Sequence, residues 1–171
     1  MNVEAAGYNF TFPGAIEAYV FDETDNSKPT FHGAPMKAVD VMVELEDAYL
    51  YIEIKDYDDV SLYDIRCAGK DDEETKKRQD GFRWLKGYLK YKFRDTYLYR
   101  VAEFKTNKPV HYICVVNFDN ALNSLIKKEL RRDLPVGKHC RRWHQAIAES
   151  CQVVNFDKWN NSFPSWPLAR I

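Results

Sequence analysis

From Lys37 to Asp56 the chain reads KAVDVMVELEDAYLYIEIKD, with apolar side chains at alternate positions along two short runs. Val39, Val41, Val43 and Leu45 mark the first run, and Leu50, Ile52 and Ile54 the second. A period of two belongs to strands that bury one face. Glu46-Asp47-Ala48 between them is a polar break suited to a tight turn, so the runs read as a β-hairpin. Loop length sets the register. A loop of two or four residues puts Asp40 and Met42 on the same face as Glu53 and Lys55, whereas three residues or a bulge moves one set to the other face.

The same reading along the rest of the chain predicts a single α/β domain spanning 1–171, with a central mixed sheet flanked by helices. Its core covers about 13–118, and C-terminal helices, a strand and an aromatic tail occupy 119–171. Pro13 suits the first position of a short helix reaching about Glu23. Asp25 to Pro29 is a loop, an extended piece starts at Thr30, and 60–68 fits either a strand or a turn of helix. The acidic run Asp71 to Glu74 leads into an amphipathic helix over Phe82–Phe93, weakened by Gly81 and Gly87. Trp84 and Tyr88, at i and i+4, are expected in the core.

Thr96–Phe104 and Pro109–Phe118 read as strands, the second apolar enough to lie centrally in a sheet. Asp119 can cap a helix running to Arg132. Lys138–Glu149 reads as another helix and Cys151–Phe156 as a last strand. The tail from Trp159, interrupted by Pro164 and Pro167, is expected to drape over apolar surface rather than join a sheet. Val-Val-Asn-Phe-Asp occurs at 115–119 and 153–157, which implies two strands ending in the same turn chemistry.

Composition is that of an ordinary globular protein, 45% hydrophobic and 15% aromatic over 171 residues. No apolar run is long enough to span a membrane, and MNVEAAGYNF lacks the basic-then-apolar order of a signal peptide. Cys67, Cys114, Cys140 and Cys151 are irregularly spaced and read as reduced thiols of a cytoplasmic protein.

The net charge of −1 conceals an asymmetry: residues 1–75 hold 18 acidic against 5 basic side chains, residues 76–171 hold 8 against 20. Such a split fits either nucleic-acid binding or two halves that neutralise each other. Lys127, Lys128, Arg131, Arg132, Lys138, Arg141 and Arg142 are interrupted only by Glu129 and Asp133. They form a candidate phosphate-binding ridge, the alternative being two solvated helix faces. Lys76, Lys77, Gln79, Arg83 and Lys86 offer a second candidate surface.

Other chemistry is thinly represented. The chain has no Gly-rich phosphate loop ending in Lys-Ser or Lys-Thr, and no Gly-x-Ser-x-Gly elbow. His139, Cys140, His144 and Cys151 lack the short Cys-x-x-Cys pairs of structural zinc, so packed thiols and a surface histidine are the preferred reading. His111, inside an apolar strand, reads as a satisfied core residue.

Asp40 followed by Glu53-Ile54-Lys55 on a hairpin resembles the PD-(D/E)XK, or restriction-endonuclease-like, nuclease superfamily, with Val39 in place of the motif's proline. The resemblance covers roughly residues 13–57. It implies a restriction-endonuclease-like fold and a Mg²⁺- or Mn²⁺-dependent nuclease acting on DNA or RNA. Asp40, Glu53 and the main-chain carbonyl of Ile54 would hold the metal, Lys55 would act on the water or phosphate, and Glu17 would be a further acidic ligand on the preceding helix. Nucleic acid is the implied partner, with a homodimer as a further assembly and no membrane. The rival expectation is a nuclease-like module that binds nucleic acid or protein without cutting.

Overall fold

A computed structural model describes residues 1–67, 72–137 and 140–171. Strand β1 (Asn2–Ala5) turns into β2 (Tyr8–Thr11) through Ala6 and Gly7, whose φ values of 49° and 79° match the left-handed pair of a two-residue hairpin turn. Strand β3 (Glu17–Val20) replaces the helix expected after Pro13. It pairs antiparallel with β4 (Val41–Glu44), which pairs antiparallel with β5 (Tyr49–Lys55). The chain enters β3 with Gly14 at φ 76°, a left-handed conformation that does not continue a helix.

The β4–β5 hairpin closes through four residues, 45–48, with the Leu45 N–H donating to the Ala48 carbonyl. Val41 faces Ile52, so the register carries Asp40 opposite Glu53. Residues 60–67 form two 3-10 turns, Val60–Tyr63 and Ile65–Cys67.

Helix α1 (Glu73–Ala102) is far longer than Phe82–Phe93 and absorbs most of the strand expected at Thr96–Phe104. Asp72 caps it by accepting from the Thr75 N–H. Its buried stripe is Phe82, Leu85, Leu89, Lys92, Phe93, Thr96 and Arg100. Three polar residues on that stripe hid the helical period, while Leu98 and Val101 are exposed. Strand β6 (Val110–Val116) lies between β5 and β7 (Ser150–Val154), parallel to both. Helix α2 (Asn120–Asp133) connects β6 to β7 and is capped by Asp119. Described residues 140–149 are irregular rather than helical, held to the sheet by a bridge between Val136 and Ala148.

Helix α3 (Phe156–Ser162) and strand β8 (Leu168–Arg170) complete the chain. The tail therefore does enter a sheet, as β8 pairs with β2. Pro164 and Pro167 precede it, and Trp159 packs edge-on to Phe10 at 5.3 Å. Both Val-Val-Asn-Phe-Asp copies end a parallel strand and open a helix, one capped by Asp119 and the other by Asn155.

The result is a mixed five-stranded sheet, ordered β3-β4-β5-β6-β7, between two covers. Helices α1 and α2 pack on Met42, Tyr51, Tyr112 and Cys114 of one face. The three-stranded sheet β1-β2-β8 and α3 cover Val41, Val43, Ile52, Ile54 and Val115 on the other. Both faces of β4 and β5 are thus buried, not one. Asp40 and Glu53 are carried under α1 instead of into solvent.

Candidate functional site

Burial of an ionised carboxylate is costly unless it is compensated. Glu53 is fully buried and Asp40 partly so, and Lys92 reaches them from α1. Lys92 Nζ stands 3.4 Å from Glu53 Oε2, 3.9 Å from Asp40 Oδ1 and 3.0 Å from Asp22 Oδ2, and donates to the Ala38 carbonyl. Lys55 Nζ is 3.3 Å from Glu53 Oε1. Asp40 Oδ2 accepts the Ile54 N–H at 2.6 Å. The Lys55 carbonyl faces β6, where it accepts from Asn117 N–H. Ile54, one residue earlier, therefore turns its polar groups to the β4 edge and toward Asp40.

Neither Glu53 oxygen accepts an aligned hydrogen bond, although two ammonium groups are within attraction distance. Burial, reinforced by the Asp40 charge, pushes the Glu53 carboxyl up to about 7. Burial also raises Asp40, against the pull of Lys92 and the Ile54 N–H. For Lys92, burial works downward, but Glu53, Asp40 and Asp22 together outweigh it and raise the ammonium. Lys55 is likewise raised, since Glu53 and Asp40 overcome its burial. Three carboxylates against two ammonium groups leave the cluster short of one positive charge with every group ionised.

Asp40, Glu53 and Lys55 converge as the four-residue loop requires. Glu17 does not join them: it lies on β3 rather than a helix, opposite Glu44, and lines a separate cleft with Arg100 and Glu103. Asp22, just beyond the other end of β3, supplies the additional carboxylate. Sequence reasoning missed both Asp22 and Lys92. Lys92 had a signal, a charged residue three from Leu89, four from Thr96 and seven from Leu85 on a buried stripe; Asp22 had none beyond its acidity.

Tyr88 is half-buried rather than in the core. Lys37, Lys55 and Lys92 approach its ring at 4.8, 5.3 and 5.6 Å. Trp84 is 54% exposed and stacks on it at 5.2 Å, so Trp84 lies outside the core that the i, i+4 spacing suggested and Tyr88 packs at its edge.

Of the expected basic ridge, Lys128, Arg131, Arg132, Arg141 and Arg142 are exposed, and Lys138 lies outside the described residues, as do His139 and Asp71. Lys127 bonds Gln152 at 2.8 Å, and Arg132 pairs with Glu129. The two acidic residues that interrupt the run tie α2 to α1, through Lys86 to Glu129 and through Lys86 and Lys90 to Asp133. His111 is satisfied by the Ser150 hydroxyl at 2.8 Å. Cys114 and Cys151 are free and buried, and Cys140 is free and exposed, so Cys140, His144 and Cys151 form no common site.

Among the described residues, no group of three or more His, Cys, Asp or Glu is arranged to hold a metal ion, and no helix is long and apolar enough to cross a membrane. Mg²⁺ needs fewer protein ligands, binding through one or two carboxylates while keeping several waters. Asp40 and Glu53 fit that demand: they are hard oxygen donors, and the buried Glu53 oxygens lack hydrogen-bond partners. No family model, no curated protein and no solved structure matches this chain, so the resemblance drawn above rests on Asp40, Glu53 and Lys55 themselves.

Proposed function

We propose that the chain is a metal-dependent nuclease that hydrolyses phosphodiester bonds of DNA or RNA, with a restriction-endonuclease-like arrangement of its site. The observation that carries this reading is the buried, unsatisfied Glu53 carboxylate beside Asp40, with Lys55 at the rim. Asp40, Glu53 and the Ile54 carbonyl would hold Mg²⁺ or Mn²⁺. When bound, such an ion polarises a phosphate and lowers the pKa of its water.

The remaining work falls to the chain's own residues. Lys55, partly exposed, presents its ammonium where negative charge develops on a phosphate. Lys92 holds the carboxylates together from behind, and Ile54 N–H fixes the Asp40 rotamer. The basic side chains Lys127, Lys128, Arg131, Arg132, Lys138, Arg141 and Arg142 would grip the strand through its phosphates.

One observation favours the rival reading, a nucleic-acid-binding module that does not cut: Lys92 already sits among the carboxylates a metal would use. Cleavage separates the two. Supercoiled plasmid, single-stranded DNA and structured RNA are incubated with Mg²⁺ or Mn²⁺, with and without EDTA. Wild type should cut, EDTA should abolish cutting, and Lys55→Ala should lower the rate by about 10²–10³, the usual cost of one charge-stabilising donor. Asp40→Asn should raise the metal concentration required. Equal cutting by wild type and Lys55→Ala, or no cutting of any substrate, would remove the nuclease reading.

A further inference from the structure

Beside the carboxylate cluster, α1 carries a shallow cleft of about 400 Å³ lined by Lys37, Asp80, Arg83, Trp84, Gly87, Tyr88 and Tyr91. Its walls are unusual for a solvent-facing helix. Trp84 and Tyr91 are 54% and 49% exposed, and Trp84 lies nearly parallel to Tyr88, with an interplanar angle of 20°. A side chain at Gly87 would meet nothing within 4 Å, so the floor of the cleft is open. Cations border it: Lys37 lies over Tyr88, and Arg83 stands at the margin in an exposed pair with Asp80.

The Tyr88 ring joins this cleft to the candidate site. Its centroid lies 5.2 Å from the Trp84 ring and 5.3 Å from Lys55 Nζ. An aromatic surface bordered by ammonium and guanidinium groups complements a nucleotide, whose base stacks while its phosphate seeks positive charge. In a duplex the bases are already stacked on each other and cannot lie flat on a side chain. In a single strand they can.

We propose that Trp84, Tyr88 and Tyr91 form a stacking platform for an unpaired base of a single-stranded nucleic acid, whose backbone then passes Lys55. The proposal rests on the nuclease reading for the direction of the strand and names single strands as the substrate class. Trp84 supplies the platform and Tyr88 positions it against Lys55. Arg83 and Lys37 offer phosphate contacts at its edges.

The test measures fluorescence anisotropy of labelled oligonucleotides with the full chain, in EDTA so that no turnover intervenes. Probes are one sequence as single-stranded DNA, single-stranded RNA and duplex DNA, and a single strand with abasic residues. Proteins are wild type, Trp84→Ala and Trp84→Phe, each checked for folding by circular dichroism.

Wild type should bind single strands more tightly than duplex. Trp84→Ala should weaken single-strand binding about 5- to 150-fold, the range for one base–aromatic stack. Trp84→Phe should retain most of the affinity, and the abasic strand should be indifferent to the substitution. Equal single-strand affinity for Trp84→Ala and wild type, or equal wild-type affinity for duplex and single strand, overturns the platform. Parallel cleavage assays with Mg²⁺ keep the two readings apart. Trp84-dependent binding without cleavage sustains the platform and removes the nuclease, whereas cleavage that ignores Trp84→Ala does the reverse.

Discussion

Lys92 Nζ and Glu53 Oε2 lie 3.4 Å apart although 39 positions separate them in the chain, and both side chains are withdrawn from water. The pair crosses from the middle of α1 to the end of β5 and joins the two layers by charge as well as by apolar contact. Breaking one partner of a buried ion pair leaves an uncompensated charge, which commonly costs about 3–5 kcal/mol. Lys92→Met should lose stability of that order in urea denaturation at alkaline pH, where Glu53 is ionised. Lys92→Met with Glu53→Gln should recover a large part of it, because the stranded carboxylate is gone. Additive losses in the double variant would show that the two residues act independently.

The raised Glu53 carboxyl makes stability depend on pH in a defined direction. Its ordinary value is 4.5 and burial beside Asp40 lifts it to about 7, so between these values the folded state holds more protons than the unfolded one. The stabilising contribution is full below 4.5 and is lost as pH rises to about 7. Lys92 is raised too, but its titration lies far above this window. Glu53→Gln should therefore flatten the stability profile across it, where one proton accounts for a slope of at most about 1.4 kcal/mol per pH unit. Denaturant midpoints measured at intervals through that range check this. An unchanged slope in Glu53→Gln would assign the pH dependence to other groups.

Nucleic-acid affinity should report on the basic run around α2. Arg131 and Arg141 are both exposed, so charge reversal at the two positions perturbs no packing. Arg131→Glu with Arg141→Glu should weaken binding across sequences and reduce the logarithmic salt slope by about 1–2, roughly one unit per lost phosphate contact. Titrations at several salt concentrations decide it. Unchanged affinity would mean that these arginines form a solvated face.

Two glycines in α1 should answer oppositely to the same substitution. A Cβ at Gly81 would sit 2.2 Å from the Leu62 carbonyl oxygen, so Gly81→Ala must push the 3-10 turn away from the helix. A destabilisation of about 1–3 kcal/mol is expected, outweighing the gain in helix propensity. Gly87 faces open space, and Gly87→Ala should stabilise by up to about 1 kcal/mol. Thermal melts of the two variants read the contrast. Equal shifts would show that the turn yields freely.

The sequence by itself determined the local features: the β4–β5 hairpin, the apolar central strand and the Asp119 cap. These depend on alternation and short-range hydrogen bonding, which neighbouring residues encode. The sequence left Asp40 on either face relative to Glu53 and Lys55, and the four-residue loop decided for the same one. Tertiary structure decided what long-range packing controls. TYLYRVAEF has the β-branched and aromatic character of a strand, but Thr96 and Arg100 face inward to meet Val39 and Tyr19, and helix α1 runs through most of it. The segment after Pro13 looked helical until pairing with β4 made it a strand. Above all, alternation in β4 and β5 announced one buried face, and only the docking of α1 buried the second. That docking placed Lys92 beside Glu53 and turned a polar surface pair into a charge cluster with perturbed protonation. Contacts between residues tens of positions apart carry no local period, so folding alone reveals them.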